Sequence, residues 1–155
     1  MNDRIQNKEL HRLEGLAIFE QLGMMISLCA YHSIYMNWTI DGIARLFIPP
    51  INMFQCALFA EQDKLVGFVT WAFLSDEISD KLKYHFENPP FDGWRSGKNL
   101  WIIDLVSPSG KTGNISRMLQ NDILRNAAAN SPAFALRRNV NGSVRKISTF
   151  PIVKD

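Results

Sequence analysis

The feature that most constrains the fold is the run LWIIDLV at residues 100–106, in which six of the seven residues are large and apolar. Such a run is typical of a strand that is covered on both faces. Asp104 interrupts it, and a carboxylate in such a strand is costly unless it is paired or hydrogen-bonded. The sequence therefore predicts a central strand in which Asp104 either bonds neighbouring backbone amides or takes part in chemistry.

A turn follows this strand and carries Gly110 and Gly113 before a helical pattern begins near Asn114. A strand, a glycine turn and a helix N-terminus together can bind an anion, which makes these three residues candidates for holding a phosphate. The tripeptide GKT at 110–112 resembles the end of a Walker A loop. Because Leu105 stands where the first glycine of that motif is required, nucleotide hydrolysis is disfavoured. An ordinary strand-to-helix turn is the alternative.

Length and composition predict one folded domain. The chain has 155 residues, of which 46% are hydrophobic, enough for a full core. We expect a flexible N-terminus over residues 1–12 and a single domain over residues 13–155. The net charge of +2 argues against a nucleic-acid partner. Basic residues are nevertheless concentrated after position 115, which indicates either a surface for an acidic partner or a solvated face.

The cysteines and the N-terminal residues indicate where in the cell the protein is expected. Cys29 and Cys56 have no metal-binding or redox spacing, which predicts reduced core thiols and no metal site. The first twelve residues are polar where a signal peptide would need an apolar stretch. No segment is long and apolar enough to span a membrane. We therefore expect a cytoplasmic protein without a membrane span.

Apolar periodicity and turn residues predict helices and strands in a mixed order. The predicted helices cover residues 13–34, as one helix or two joined near Gly23, then 39–47, 75–86 and from 114 to about 129–132. Thr39 and Ser75 are the predicted N-caps of the second and third of these. The predicted strands cover residues 54–59, 65–73, 100–106, 134–140 and 144–150. The first two are joined as a hairpin through residues 61–64, and the last two across Asn141-Gly142. This order predicts an α/β (α+β) domain whose mixed, mostly antiparallel sheet is flanked by helices.

Three blocks carry a resemblance to a known family: residues 22–38, TWAFLS at 70–75 and GKNLWIIDLVSPSG at 97–110. They resemble the haemolysin-activating lysine acyltransferases that modify RTX protoxins, whose motif reads GDxxWxIDWIAPxG. The chain is identified as a diverged member of this family. It is also short at the C-terminus, because family members usually continue for some tens of residues beyond the position of Asp155.

The resemblance implies a fold similar to the N-acetyltransferases of the Gcn5 type and a corresponding reaction. In the family, a fatty acyl group passes from acyl carrier protein to the ε-amine of lysines in a protoxin. The implied partners are an acyl carrier protein, as donor substrate, and an acceptor protein with target lysines. No bound cofactor is implied, and a homodimer is compatible with the resemblance.

The family uses a histidine and an aspartate, and Asp104 occupies the position of the aspartate. The histidine belongs to the motif SPxHRxW, three residues before the tryptophan, and alignment on Trp38 places Tyr35 there. Tyrosine is a poor base near neutral pH, since its ordinary pKa is about 10. His32 stands where the family has serine, on the same helix side but roughly 5 Å away. The candidate catalytic residues are therefore Asp104, His32 and Tyr35. Three alternatives stay open: His32 is the general base, Tyr35 assists the reaction, or the protein has lost the activity.

The resemblance also indicates substrate-binding residues. Trp38 and Trp71 either line an acyl groove or belong to the core. The turn with Gly110, Gly113 and Asn114 is suited to the phosphate of a phosphopantetheine arm. The basic hairpin with Arg137, Arg138, Arg145 and Lys146 is suited to an acidic carrier protein. The alternatives are a non-catalytic binding or accessory protein of the same fold, and an N-acyltransferase that uses acyl-coenzyme A.

Overall fold

Within the described part of the chain, six strands form one sheet, and their order across the sheet follows their order along the chain. The computed structural model describes residues 9–128 and 132–155. Neighbouring strands are antiparallel except for the fourth and fifth, which are parallel. The predicted mixed, mostly antiparallel sheet is confirmed. The strands are β1 (Leu10–Arg12), β2 (Cys56–Glu61), β3 (Lys64–Leu74), β4 (Asn99–Val106), β5 (Ala133–Arg138) and β6 (Val144–Phe150).

Among residues 9–128 and 132–155, four α-helices flank the sheet: α1 (Ile18–Cys29), α2 (Ile40–Asn52), α3 (Asp76–His85) and α4 (Thr112–Met118). A π-helical segment, Leu119–Ile123, continues α4. The predicted caps are confirmed, because the Thr39 hydroxyl accepts from the amide of Gly42 at 3.1 Å and the Ser75 hydroxyl accepts from that of Ile78 at 3.2 Å. None of the helices over the described residues has the length and apolar content needed to cross a bilayer.

Several boundaries differ from the prediction. Helix α1 covers only part of residues 13–34, and α2 continues past residue 47 because Pro49 and Pro50 are buried in its last turn and their carbonyls accept from Met53 and Gln55. Strand β5 ends at Arg138 instead of residue 140, since Asn139 bonds Ser143 across a longer loop. The helix predicted to run to about 129–132 is wrong in its end, because helical structure stops at Ile123 and a turn follows. The N-terminal segment predicted to be flexible includes β1, and residues 1–8 and 129–131 lie outside the described residues.

The helices lie on opposite sides of the sheet and bury β4 on both faces. Trp101 and Ile103 belong to the core shared with α1, α2 and α3, whereas Leu100 and Ile102 pack with Ile115 of α4. This alternation confirms the prediction of a central strand covered on both faces. Cys29 and Cys56 are buried free thiols, as predicted, and burial raises their pKa values to about 12 and about 11.

A β-bulge in β4 decides where Asp104 points. Thr70 of β3 pairs with Asp104, but the next residue, Trp71, pairs with Ile102, so Ile103 has no partner in β3. An extra residue shifts the alternation of side chains by one. Ile103 and Asp104 consequently point to the same face, toward α1 and the segment that follows it. Without the bulge, the carboxylate would face α4.

Strands β4 and β5 separate after a short stretch of pairing. Across the described residues, their partners are limited to Trp101 with Phe134 and Ile102 with Ala135. Beyond Ile102 the two strands part, although β4 continues to Val106 and β5 to Arg138. The sheet therefore contains a gap next to Asp104.

Gly67 of β3 lets α4 approach the sheet closely, and its replacement tests this packing. A Cβ atom there would lie 2.5 Å from Cδ1 of Ile115 and 2.8 Å from the backbone oxygen of Val106. We expect Gly67→Ala to lower the free energy of unfolding in urea by about 1–3 kcal/mol, because the backbone oxygen of Val106 belongs to β4 and cannot shift away from the added methyl group. The control is Gly23→Ala on the exposed side of α1, where a Cβ meets nothing within 4 Å. That variant should be unchanged or up to about 1 kcal/mol more stable, and equal stability of the two variants would contradict the packing argument.

Candidate functional site

Asp104 is buried at the centre of a hydrogen-bonded network, with 1% of its surface exposed. Its Oδ1 accepts from Nε of Arg138 at 2.7 Å and from the hydroxyl of Tyr35 at 2.6 Å. Its Oδ2 accepts from Nη2 of Arg138 at 3.4 Å, and its backbone amide donates to the hydroxyl of Thr70 at 3.2 Å. A buried carboxylate needs such partners, and here an opposite charge supplies the main compensation.

Arg138 connects the carboxylate to the hairpin turn and to the segment between α3 and β4. Its Nη1 donates to Oδ1 of Asn88 at 3.1 Å and to the backbone oxygen of Gly142 at 3.0 Å. The guanidinium lies 5.3 Å from the ring centroid of Trp38. Gly142 has a φ of +85°, and a Cβ there would lie 2.6 Å from Nε1 of Trp38. Glycine is therefore required at this turn for both its conformation and its close contact with Trp38.

The network keeps fixed charges at neutral pH. Burial raises the pKa of Tyr35 well above its ordinary value, and the charge of Asp104 raises it further. Burial alone would lower the pKa of Arg138, but the carboxylate and its hydrogen bonds raise that pKa above its ordinary value. Tyr35 is consequently a neutral phenol, and Arg138 stays charged.

A slot of about 500 Å³ occupies the gap between β4 and β5. Residues from both sides of the sheet line it, so the slot passes from the α4 side to Tyr35. Its walls come from the segment after α1, from α4 with the π-helical segment, and from β4, β5 and β6: His32, Ile34, Tyr35, Ile102, Leu105, Thr112, Gly113, Ser116, Gln120, Ala135, Leu136, Arg137, Arg138, Arg145, Ser148, Thr149, Phe150 and Pro151.

The three candidate catalytic residues lie close together, but only two of them are joined by a hydrogen bond. Tyr35 and Asp104 are directly bonded. His32 lines the slot beside Tyr35, with ring centroids 5.0 Å apart, and burial lowers its pKa. Over the described residues, no hydrogen bond joins His32 to Asp104. Tyr35 thus contacts Asp104 directly, while His32 stands next to that pair.

The candidate binding residues are more scattered. Gly113 lines the slot, whereas Gly110 forms the preceding turn with a φ of +80° and Asn114 accepts a hydrogen bond from Arg117 at 3.1 Å. Trp38 packs beside Tyr35, and Trp71 is buried in the core on the α4 side. Neither tryptophan belongs to the lining of the slot. Among the residues described, no group of three or more histidine, cysteine, aspartate or glutamate side chains could hold a metal ion.

Sequence reasoning missed the role of Arg138, which it assigned with its neighbours to a basic hairpin surface. The signal was present, because a carboxylate in an apolar strand needs a cation and because alternation turns one of two adjacent arginines inward. Arg138 is 6% exposed, whereas Arg137 stays on the surface. Asn88 and Gly142 gave no such signal, since their contacts depend on how two distant loops meet.

Most of the chain, including the residues of this site, matches one known protein family. The RTX toxin acyltransferase family (HlyC) matches residues 14–151. The chain belongs to this family. The resemblance seen in the sequence is therefore confirmed over most of its length, including the segment with Asp104 and the slot.

Individual relatives are lysine acyltransferases by name. The chain is 32% identical over 92 residues to the leukotoxin-activating lysine-acyltransferase LtxC of Aggregatibacter actinomycetemcomitans, a match that covers 59% of this chain and 55% of LtxC. It is 29% identical over 101 residues to the protein-lysine myristoyltransferase HlyC of Escherichia coli, covering 65% of this chain and 59% of that protein. The matched region thus spans little more than half the length of these RTX toxin acyltransferases.

A solved structure confirms the predicted fold. The loading GNATL domain of CurA from Lyngbya majuscula superposes with a TM-score of 0.55 at 13% sequence identity, covering 84% of this chain and 64% of that domain. At this identity the similarity concerns the fold alone. The expected acetyltransferase-like architecture of this RTX toxin acyltransferase family member is confirmed.

Arg138→Gln tests the buried ion pair. We expect it to lower the free energy of unfolding in urea by about 3–5 kcal/mol, because it leaves the Asp104 carboxylate buried without a cation. The control is Lys146→Gln, an exposed position on β6, which should change stability by no more than about 0.5 kcal/mol. Adding Asp104→Asn to Arg138→Gln should restore part of the loss. If the two single variants unfold at the same urea concentration, the ion pair has no structural importance.

Proposed function

We propose that this protein transfers a fatty acyl group from the phosphopantetheine arm of an acyl carrier protein to the ε-amine of a lysine in an acceptor protein resembling an RTX protoxin. Membership of the RTX toxin acyltransferase family supports acyl transfer. The observation that carries the proposal is the slot between β4 and β5, which leads through the sheet to the bonded pair of Tyr35 and Asp104. An acyl carrier protein as donor also places the reaction in the cytoplasm.

The slot has the shape and chemistry for an extended pantetheine arm. A strand without a neighbour presents backbone N–H and C=O groups, which pair with an extended chain that contains amides. Both β4 and β5 offer such edges beyond Ile102 and Ala135. At the α4 side the slot is lined by Thr112 and Gly113, next to the glycine turn. We assign Gly110, Gly113 and Asn114 to the phosphate of the arm.

The basic residues beside the slot suit an acidic carrier protein. Arg137 and Arg145 are exposed and border the slot, whereas Arg138 is occupied by Asp104. Complementary charge speeds the docking of a carrier protein and orients it. Docking here would align the arm with the opening between the strands.

Acyl transfer in the slot needs an oriented amine. The neutral lysine nitrogen attacks the thioester carbonyl carbon, a C–N bond forms, the C–S bond breaks, and the pantetheine thiol leaves. The Tyr35 hydroxyl donates a hydrogen bond to Asp104 and also interacts with Arg138. A phenol oxygen has two lone pairs, so one of them can accept a hydrogen bond from the amine even while Arg138 uses the other. In this proposal Tyr35 orients the nucleophile, Asp104 positions Tyr35, and Trp38 supports Arg138. Trp71 has no part in it.

A second candidate is a non-catalytic protein that binds acyl carrier protein. The observation in its favour is Tyr35, which replaces the family's histidine and remains a neutral phenol on Asp104. Such a pair binds and orients groups but takes no proton near neutral pH. The two candidates differ in one measurable property, which is the formation of an acyl-lysine bond.

Transfer is measured with long-chain acyl carrier protein and an RTX protoxin as acceptor. We expect intact-mass spectrometry to detect acylated protoxin, and Tyr35→Phe to lower kcat by about 10–100-fold because the amine loses its orienting partner. Lys98→Gln, an exposed change at the opposite end of β4, should leave the rate unchanged. A stable complex with acyl carrier protein but no acylated product would favour the binding protein. If acylated protoxin forms with acyl-coenzyme A but not with acyl carrier protein, the donor is acyl-coenzyme A.

Charge reversal tests the docking surface. We expect the double change Arg137→Glu with Arg145→Glu to raise KM for acyl carrier protein by about 10-fold or more at low salt, with kcat unchanged, because surface charges act mainly on encounter. The effect should shrink as ionic strength rises. Lys98→Glu alters charge at a site distant from the slot and serves as the control. An equal rise in KM for both variants would exclude a specific surface at the slot.

A further inference from the structure

His32 lies in the turn that follows α1 and borders the slot beside Tyr35. Its backbone amide donates to Cys29 at 3.1 Å, and its carbonyl accepts from Tyr35 at 3.1 Å and from Met36 at 3.0 Å. The imidazole meets the Tyr35 ring edge-to-face, with an interplanar angle of 77°. Backbone and side chain are therefore both held in place at the wall of the slot.

One contact determines which ring nitrogen of His32 carries the proton. The backbone amide of Ile34 donates a hydrogen bond to Nδ1 of His32 at 3.2 Å. A backbone amide is always a donor, so Nδ1 must be the acceptor and has no proton of its own. A neutral imidazole has one N–H group, which is then on Nε2. No partner within the described chain receives a hydrogen bond from this Nε2.

This tautomer is unsuited to a general base. Nε2 already has its proton, and a second proton has to enter at Nδ1, where it would meet the N–H of Ile34 and break that hydrogen bond. Burial also lowers the pKa of His32, which keeps the ring neutral at physiological pH. A neutral ring with a fixed Nε2–H is instead a hydrogen-bond donor at the wall of the slot.

We infer that Nε2–H of His32 donates a hydrogen bond to the carbonyl oxygen of the acyl thioester and to the oxyanion formed when the lysine amine attacks. This inference rests on the proposed acyl transfer. The neutral amine adds to the carbonyl carbon, and the carbonyl π electrons move to the oxygen that His32 holds. The C=O bond re-forms, the C–S bond breaks, and the proton released from nitrogen ends on the departing thiolate. This sequence of steps needs no base from the protein. A hydrogen-bond donor that points at the developing negative charge on oxygen stabilises the transition state.

The neighbouring groups give the inference a pH signature. Tyr35, Arg137, Arg138 and Arg145 line the slot with His32, and Asp104 lies behind Tyr35 in its ion pair with Arg138. The raised pKa values of Tyr35 and Arg138 keep the phenol neutral and that guanidinium charged over the working range. The lysine amine, with an ordinary pKa of about 10.4, is then the group that titrates. We expect kcat/KM to rise about tenfold per pH unit between roughly pH 6.5 and 9, without a break near the ordinary histidine pKa.

Substitution by glutamine separates the two roles of His32. The glutamine amide places an N–H near the position of Nε2 but takes up no proton. We expect His32→Gln to keep kcat within about tenfold of the original protein and His32→Ala to lose about 10²–10³-fold, the usual cost of removing one oxyanion donor. Equal losses in the two variants, or an acid limb that His32→Gln abolishes, would overturn the donor role. Urea unfolding of both variants checks that they are folded.

Nitrogen NMR tests the tautomer without reference to activity. The chain has three histidines, and the His32→Gln spectrum assigns the signals of His32 by their loss. At pH 7.5 we expect a protonated Nε2 and an unprotonated Nδ1, whereas the reverse tautomer would overturn the inference. If the original protein transfers no acyl group to the protoxin from any donor, the proposed function itself fails. That outcome is distinct from an active protein whose His32→Gln variant is inactive.

Discussion

The ion pair between Asp104 and Arg138 is the interaction on which the site depends. It joins the middle of β4 to the last residue of β5 at the point where these strands have parted. Because both groups are buried, each would be left without compensation if the other were lost, and such a loss is strongly destabilising. The same guanidinium holds Asn88 and the carbonyl of Gly142. One side chain thus bridges the opening, secures the hairpin turn and orients the carboxylate that holds Tyr35.

Two irregularities of the sheet create the space that this ion pair borders. The bulge at Ile103 turns Asp104 toward the segment after α1, and the separation of β4 from β5 opens the slot. Regular strands would supply neither, since strict alternation would aim the carboxylate at α4 and continued pairing would close the gap. Bulges are common where a sheet must re-aim a functional side chain. Here the bulge and the gap lie beside each other along β4.

The chemistry of the site relies on position and fixed donors. Tyr35 is neutral, Arg138 is charged, and the ring of His32 is held with its Nδ1 on the amide of Ile34. Each of these groups keeps its protonation state across the neutral range, so none is suited to shuttle protons there. In the function that we propose, Tyr35 and His32 therefore act by orientation and oxyanion binding and not by proton transfer.

The sequence by itself determined the elements whose signals are local: the apolar central strand, the Thr39 and Ser75 caps, the two hairpins and the mixed sheet. It also identified Asp104 as an anomaly, and it indicated the family from blocks that include that residue. Only the tertiary structure decided which arginine reaches Asp104, that Tyr35 is bonded to it, where the slot opens and which nitrogen of His32 is protonated. Tyr35 and Arg138 lie 69 and 34 residues from Asp104 along the chain. Contacts over such separations depend on strand register and on one bulged residue, which no local pattern of side chains specifies.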